Sequence, residues 1–443
     1  MNIAAIYLGW AVAALAMFRF SRPATAALAS FLGGWILLPV GSYPPGSADT
    51  VFPYWIAGLA LPSDMTLTKA AVAPAAAFLG VLLFDRQALT RLRPVWLDAP
   101  VVLWCFWPAL ASAVSAEPRP APALAVTYLA AAWGLPWLLG RLYVASAEGR
   151  LLLVKGLVLS ALACLPFSLV EGVLGPVAYD AVYETHPFRL DGAVRYVGFR
   201  PLGFFENGNQ FGLWVSLCAL AALWLAVSSG RALWKWSAVV LSTMALAAQS
   251  VGAIALLALG AAALWAFGRV RPRLLVSGAA LLIAIGGGVY LSGAIPFQAI
   301  AKDTGWGRAI VSSMRDAGRG SFTWRIAQDQ KLLADAVARP LSGSAQWDWW
   351  RAKATRPWGL ALLIVGQFGL VGLLFAFATL LGPALRTAWK VPAGSAWQPA
   401  GLPLMLATLA VLTVVDALLN SFIFFPALVA AGGLAASADR DPA

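Results

Sequence analysis

Apolar runs recur along the whole chain, near residues 3–18, 24–40, 67–84, 99–115, 121–140, 151–174, 210–228, 233–249, 251–268, 274–292, 358–382, 402–419 and 421–436, separated by short polar connectors. Most approach the roughly 20 residues that a helix needs to cross a bilayer. In lipid every backbone polar group must be bonded within its own segment, so such runs read as helices. The pattern predicts an all-α polytopic membrane protein of twelve or thirteen transmembrane helices. The stretch VFPYWIAGLAL (51–61) is too short to cross and reads as interfacial or re-entrant.

Composition agrees with this reading. Of 443 residues 61% are hydrophobic and 11% are charged, against about 25% charged in soluble domains. The three cysteines, Cys105, Cys164 and Cys218, lie inside apolar runs and suggest no disulfide framework. A single histidine, His186, rules out a multi-histidine metal site built by this chain alone. The first run has no positive charge before it and is followed by Arg19 and Arg22, the reverse of a cleavable signal. It is expected to be a retained helix with its N-terminus outside.

The net charge of +12 matters through its placement. Short basic connectors carry Arg19/Arg22, Arg86/Arg91/Arg93, Arg141/Arg150, Arg231/Lys235, Arg269/Arg271/Arg273 and Arg386/Lys390. With thirteen spans all six fall on the cytoplasmic side, as the positive-inside rule requires. Topology thus accounts for most of the charge, and no nucleic-acid partner is implied. The expected segments are 1–174, N-terminal spans; 175–209, an outer loop; 210–292, central spans; 293–357, a large outer loop; and 358–443, C-terminal spans. The large loop carries ten Lys/Arg against five Asp, a net +5 on the face where topology does not call for positive charge. That excess points to an anionic ligand. Within it TWRIAQDQKLLADAVARP reads as one amphipathic helix roofing the bundle, with Thr323 as N-cap and Pro340 after its end. Trp347, Trp349, Trp350 and Trp358 crowd the return to the membrane, where tryptophans serve either as an interfacial belt or as stacking surfaces for sugars.

The stretch FRPLGFFENGNQFGLW (199–214) sets Arg200, Gly203, Glu206 and Asn209 at the start of a long apolar helix. Glycines let the backbone approach a ligand, Asn207 or Asn209 can cap the helix, and its N-terminus favours an anion. A guanidinium there offers a planar fork for phosphate oxygens. An Arg–Glu pair beside an asparagine cap uses the same parts, so both readings stand. Glu171 and Asp416 fall inside apolar runs, where carboxylates are costly enough to be functional candidates. Glu171 is expected near an outer end, facing the head-group region. Lys69 opens the third span on the outer side, either meeting a lipid phosphate or snorkelling to the interface. Arg325 lies four residues before Asp329, a spacing common to surface pairs.

Four blocks resemble the O-antigen ligase/polymerase superfamily of bacterial inner-membrane enzymes. They are Arg200-x-x-Gly203 leading through Asn209 into a helix; AAQSVGAIALLALG (247–260); FTWRIAQDQKLLADAVARPLSGSAQ (322–346), with its Pro-Leu-x-Gly ending; and GQFGLVGLLF (366–375). The resemblance implies a multi-pass inner-membrane glycosyltransferase with its outer loops in the periplasm. Its substrate would be a polyprenyl-pyrophosphate-linked oligosaccharide in membrane lipid, with chain-length-regulating or export proteins as further partners. Arg200 and Arg325 would stabilise the pyrophosphate leaving group and Glu206 would accept a proton, with Asp348 behind it. Arg195, Gly203, Asn209, Arg356, Lys69 and Trp349 would bind substrate. No cofactor and no metal are expected, since the outer loops contain no Asp-x-Asp pair. Where ligases of this family carry a histidine, this chain has Arg356-Pro357-Trp358, and Val251 follows Ser250 where many have arginine. Both departures favour a polymerase-like member.

Overall fold

A computed structural model describes residues 2–41, 67–113, 122–183, 186, 194–195, 197–316, 320–346, 348–353 and 355–436. The expected short stretch at 51–61 and Trp347 lie outside the described residues. Among these residues the secondary structure is helical, with two isolated β-bridges and no strand.

The longer helices are α1 (Ile3–Phe20), α2 (Pro23–Leu37), α3 (Lys69–Phe84), α4 (Trp96–Ala113), α5 (Pro122–Tyr143), α6 (Ala147–Leu174), α7 (Gly208–Ser229), α8 (Ala232–Ala247), α9 (Val251–Ala266), α10 (Pro272–Ser292), α11 (Gly305–Asp316), α12 (Gly320–Gln330), α13 (Leu360–Lys390), α14 (Pro399–Ala417) and α15 (Pro426–Ala436). Each of the thirteen apolar runs contains a helix among the described residues. Eight are long and apolar enough to cross a membrane, the architecture of a multi-pass helical membrane protein. The other five (α2, α3, α8, α9, α15) are shorter. Two of the shortened boundaries lie inside packed protein: α3 opens at fully buried Lys69, and the turn joining α8 to α9 carries buried Ala248 and Ser250.

α7 and α14 form the centre, with 83% of each span buried, whereas α1 and α10 are 17% buried. The outer helices turn large apolar side chains such as Leu8, Trp236, Leu282 and Ile285 outward, as lipid contact requires. The bundle interior is aromatic and close-packed; Trp104 sets its ring edge against Trp133 and Phe368 at 5.4 and 5.3 Å.

Contacts sort the connectors to two ends. At one end Arg141 pairs with Asp98 (3.1 Å), Tyr143 donates to Asp85 (2.9 Å), Gly394 N donates to Phe267 O (3.0 Å) and Trp224 Nε1 to Ala396 O (2.7 Å). Phe18 stacks on Phe84 nearby, so the six basic connectors gather there. The opposite end gathers residues 68–69, 171–183, 186, 194–195, 197–210, 248–250, 320–346, 348–353, 355–359 and 416–420.

α13 is broken. Gly369 has φ +74°, outside the helical region, between two helical halves. The freed groups bond to the chain that precedes the helix: Ser344 N donates to Gly366 O (2.8 Å), Ala345 N to Gln367 O (2.9 Å) and Leu370 N to Pro340 O (2.7 Å). Trp107 Nε1 donates to Phe368 O (2.7 Å). A Cβ on Gly369 would lie 2.2 Å from Leu341 O, and one on Gly343 would lie 2.4 Å from the Gln367 carbonyl carbon. The Pro-Leu-x-Gly block and the Gly-rich block therefore meet backbone to backbone.

The amphipathic segment differs from expectation. α12 starts at Gly320, upstream of Thr323, and ends at Gln330; a separate turn covers Leu333–Ala336. The break lets Leu332, Leu333 and Ala336 turn into the core while Asp329 bonds sideways to other segments.

Candidate functional site

The site is built at the end opposite the basic connectors, from two clusters. The first is centred on the start of α7. Asn207 caps the helix, its Oδ1 accepting from Asn209 N and Gln210 N (both 3.0 Å). With the cap supplied by Asn207, the Asn209 side chain turns elsewhere, and its Oδ1 accepts from Arg200 Nη2 (2.6 Å) and Ser250 Oγ (3.2 Å). Arg200 Nε donates to Ala248 O (2.9 Å), and its side chain lies across Gly208, where a Cβ would be 2.1 Å from its Cδ. One turn on, Gly212 makes room for Ser250 in the same way. Gln249 completes the join, pairing through both amide atoms with the backbone of Val197 (2.7 and 3.2 Å). The opening block and the middle block are thus one unit. Arg200 is 5% exposed and acts there as a clamp.

Glu171 lies beneath this unit and faces protein backbone instead of a head-group region. It is fully buried, and its carboxylate accepts from Leu202 N (2.7 Å), Gly203 N (2.6 Å) and Ala178 N (3.0 Å). Gly203, at φ +56°, supplies one arm of this nest, and its N–H serves Glu171. Phe199 N donates to Gly172 O (3.3 Å), folding the loop back over the end of α6.

Lys69 departs from both sequence readings. It neither faces lipid nor snorkels: it is wholly buried, donates to Phe204 O (2.8 Å), and sits between the rings of Trp35 and Phe205 at 4.8 and 4.7 Å. His186 Nε2 bonds to Phe205 O (3.1 Å) with its ring edge on Tyr179. The turn bearing Glu206 is therefore held from two sides. Burial pushes the Glu206 carboxyl up to about 8, against the opposing pull of Arg356, Lys69 and Asn207.

The second cluster surrounds Trp358. The guanidinium of Arg356 lies 3.9 Å from the ring centroid and that of Arg325 5.3 Å from it. Arg325 Nη1 donates to Asn420 Oδ1 (2.8 Å), and Asn420 Nδ2 donates to Asp416 Oδ1 (2.7 Å). Asp329 accepts from Trp358 N (2.7 Å) and Tyr290 OH (3.1 Å). It is thus a tie between α12, α10 and the start of α13, not half of an exposed surface pair. Burial raises Asp329 to about 6, partly offset by those hydrogen bonds. Burial, with Arg356 and Arg195 beside it, holds Arg325 below its ordinary value. Trp324 packs its edge on Trp358 at 5.0 Å.

Arg356 joins the clusters, being the chief cation facing Glu206 as well as a neighbour of Arg325. Arg195, Arg325, Arg356, Glu206 and Lys69 thus come into one electrostatic neighbourhood. Trp349 lies apart, its ring flat against Gly366 at the break in α13, where a Cβ would be 2.0 Å away. Asp348 pairs with Arg351 (3.2 Å) in a partly exposed turn. Sequence reasoning passed over Asn420, Tyr290 and the aromatic box of Lys69. Asn420 carried one usable signal, a polar side chain four residues after Asp416.

Three guanidiniums gather around one partly buried tryptophan face, with Asp329, Asp416 and Glu206 as the carboxyl groups beside them. Such a site favours an anion with several oxygens. No protein-family profile, curated protein or solved structure matches this chain.

Proposed function

We propose that this protein is a membrane glycosyltransferase that polymerises or transfers polyprenyl-pyrophosphate-linked glycan units at the periplasmic face of a bacterial inner membrane. The observation that carries the reading is the pair of guanidiniums, Arg325 and Arg356, on the single ring of Trp358, with Arg195 beside Arg325 and Glu206 facing Arg356. In the reaction the acceptor hydroxyl oxygen bonds to the anomeric carbon of the donor sugar. The bond from that carbon to the diphosphate breaks, and its electrons leave with the lipid diphosphate. Fixed cations stabilise the charge that develops on that leaving group, often the largest catalytic contribution. The hydroxyl proton passes to Glu206, whose burial brings its basicity near the working pH. Arg200 orders the start of α7 rather than contacting the diphosphate, since its Nε and Nη2 bonds go to protein oxygens.

Polymerase activity is favoured over ligase or protein O-oligosaccharyltransferase activity, because Arg356-Pro357-Trp358 stands where ligases of the resembling family carry histidine. A rival of another class, a transporter of lipid-linked glycan or anionic solute, draws support from the break in α13 at Gly369, since transporters use discontinuous helices. Glycan analysis of a deletion strain separates the readings. Single-repeat product indicates a polymerase, accumulated long lipid-linked polymer a ligase, and unchanged glycan with a lost solute gradient the transporter. Complementation with Arg325→Gln and Arg356→Gln should lower polymer output at least ~100-fold, as expected when a transition-state charge donor is removed. Full output from the double variant would sink the proposal.

A further inference from the structure

Successive residues at the start of α13 are each fixed from outside the helix. Trp358 N donates to Asp329 Oδ1 (2.7 Å), and Leu360 N donates to the backbone oxygen of Asn420 (2.9 Å). Between them Gly359 lies against the chain leaving α14, where a Cβ would be 2.5 Å from Leu418 O. The segment that carries the Trp358 ring and the segment that carries Asn420 are thereby held in one register.

The side chain of Asn420 meets the guanidinium that lies 5.3 Å from that ring. Its Oδ1 accepts from Arg325 Nη1 (2.8 Å), and its Nδ2 donates to Asp416 Oδ1 (2.7 Å). These partners dictate the sense of the carboxamide, because a guanidinium only donates and a flipped amide would set N–H against N–H. Asp416 is 4% exposed, and its one side-chain hydrogen bond among the described residues goes to Asn420; its Oδ2 is buried without a partner. Glu171, the other carboxyl inside an apolar run at this end, accepts from three backbone N–H groups. A carboxyl buried with so few bonds is costly as structure alone. What it does here is hold the amide with its oxygen towards Arg325.

We propose that Asn420 is a positioning residue for Arg325: its backbone oxygen seats the start of α13 beside Trp358, and its carboxamide, held by Asp416, fixes the guanidinium over the ring. This rests on the reading of Arg325 as a cation that stabilises the leaving diphosphate. A charge stabilises a transition state best when it is already in place and need not reorganise. The choice of an amide follows from the same requirement. An aspartate bonded directly to Arg325 would restrain the guanidinium but also neutralise it, whereas the interposed carboxamide restrains it and leaves its charge for an anion.

The test uses the full-length protein in nanodiscs and phenylglyoxal labelling of arginines, read peptide by peptide by mass spectrometry. Asn420→Ala should speed the labelling of Arg325 about tenfold, the equilibrium equivalent of one hydrogen bond to a charged group. Arg200, held separately by Ala248 and Asn209, should label as in the wild type. Asn420→Leu, which fills the volume without an acceptor, should behave alike and is read in place of Asn420→Ala should that variant not fold. Wild-type labelling of Arg325 overturns the inference, and so does an equal rise at Arg200, which would mark a general loosening of the bundle. The readout needs no turnover, so failure of the proposed glycosyl transfer would leave it intact. Where polymer synthesis is measurable, Asn420→Ala should lower kcat at least ~10-fold with little change in KM, and should add no further loss in an Arg325→Gln background. An undiminished loss in that background would show that Asn420 acts by another route and would equally overturn the inference.

Discussion

Among single residues, Glu206 makes the sharpest prediction. Its carboxyl is raised from the ordinary glutamate value to about 8, chiefly by burial. The folded protein therefore binds a proton there that the unfolded chain gives up at lower pH. Stability from this proton is fully present below the unfolded value and is lost as pH rises to about 8. Glu206→Gln, which keeps the shape without the charge, should flatten that loss and raise the melting temperature at pH 9 relative to wild type, as read by unfolding in detergent. As a proton acceptor the same group is active when ionised, so polymer synthesis should climb as pH passes through about 8. Arg356→Gln removes the largest opposing charge and should move that climb upward. An activity that falls with rising pH would contradict the assignment. Arg200 behaves differently. Its fork spans Ala248 O and Asn209 Oδ1, so Arg200→Lys should lose the bidentate join despite keeping the charge, and lower stability by about 1–3 kcal/mol.

Among the helices, the break in α13 governs how the loop before it is seated. A helix interrupted within a membrane bundle must re-satisfy its backbone, and here Pro340–Ala345 and Trp107 do so. The glycines on both sides are dictated by geometry. Gly369 combines a positive φ with Leu341 O at 2.2 Å from a would-be Cβ. Gly369→Ala should destabilise the protein by at least about 1–3 kcal/mol, visible as a lowered melting temperature. Gly252→Ala, in a helix with open space around its would-be Cβ, should leave it near wild type. The split between α12 and the Leu333–Ala336 turn has the same logic. An unbroken amphipathic helix would carry Leu332 and Leu333 past the core, whereas the break buries both and leaves Asp329 to bind Trp358 N.

Taken as one body, the bundle separates two chemistries. The end with the basic connectors is tied by Arg141–Asp98 and Tyr143–Asp85, ordinary interfacial pairings. The opposite end concentrates buried carboxylates, guanidiniums and broken backbone beneath folded loops. If the positive-inside pattern sets the orientation, a cysteine placed at Gly305 should react with a membrane-impermeant maleimide in whole cells, and one at Gly394 only after permeabilisation. The reverse labelling pattern would overturn the periplasmic placement of the site.

Hydrophobic patterning was enough to establish the helical membrane class, the positions of thirteen helices and the grouping of the basic connectors, because lipid exposure imposes long apolar runs that need no knowledge of neighbours. The linear chain also marked Arg195, Arg200, Glu206, Arg325 and Arg356 as chemistry-bearing. Their roles emerged from the folded arrangement, since a role depends on partners distant in the chain. Arg200 meets Ala248, Arg325 meets Asn420, and Glu171 closes a nest made by Leu202 and Gly203. Lys69 shows the limit most plainly. At the mouth of an apolar run it looks like an interfacial lysine, and only the packing of Trp35 and Phe205 around it reveals a side chain enclosed in the core.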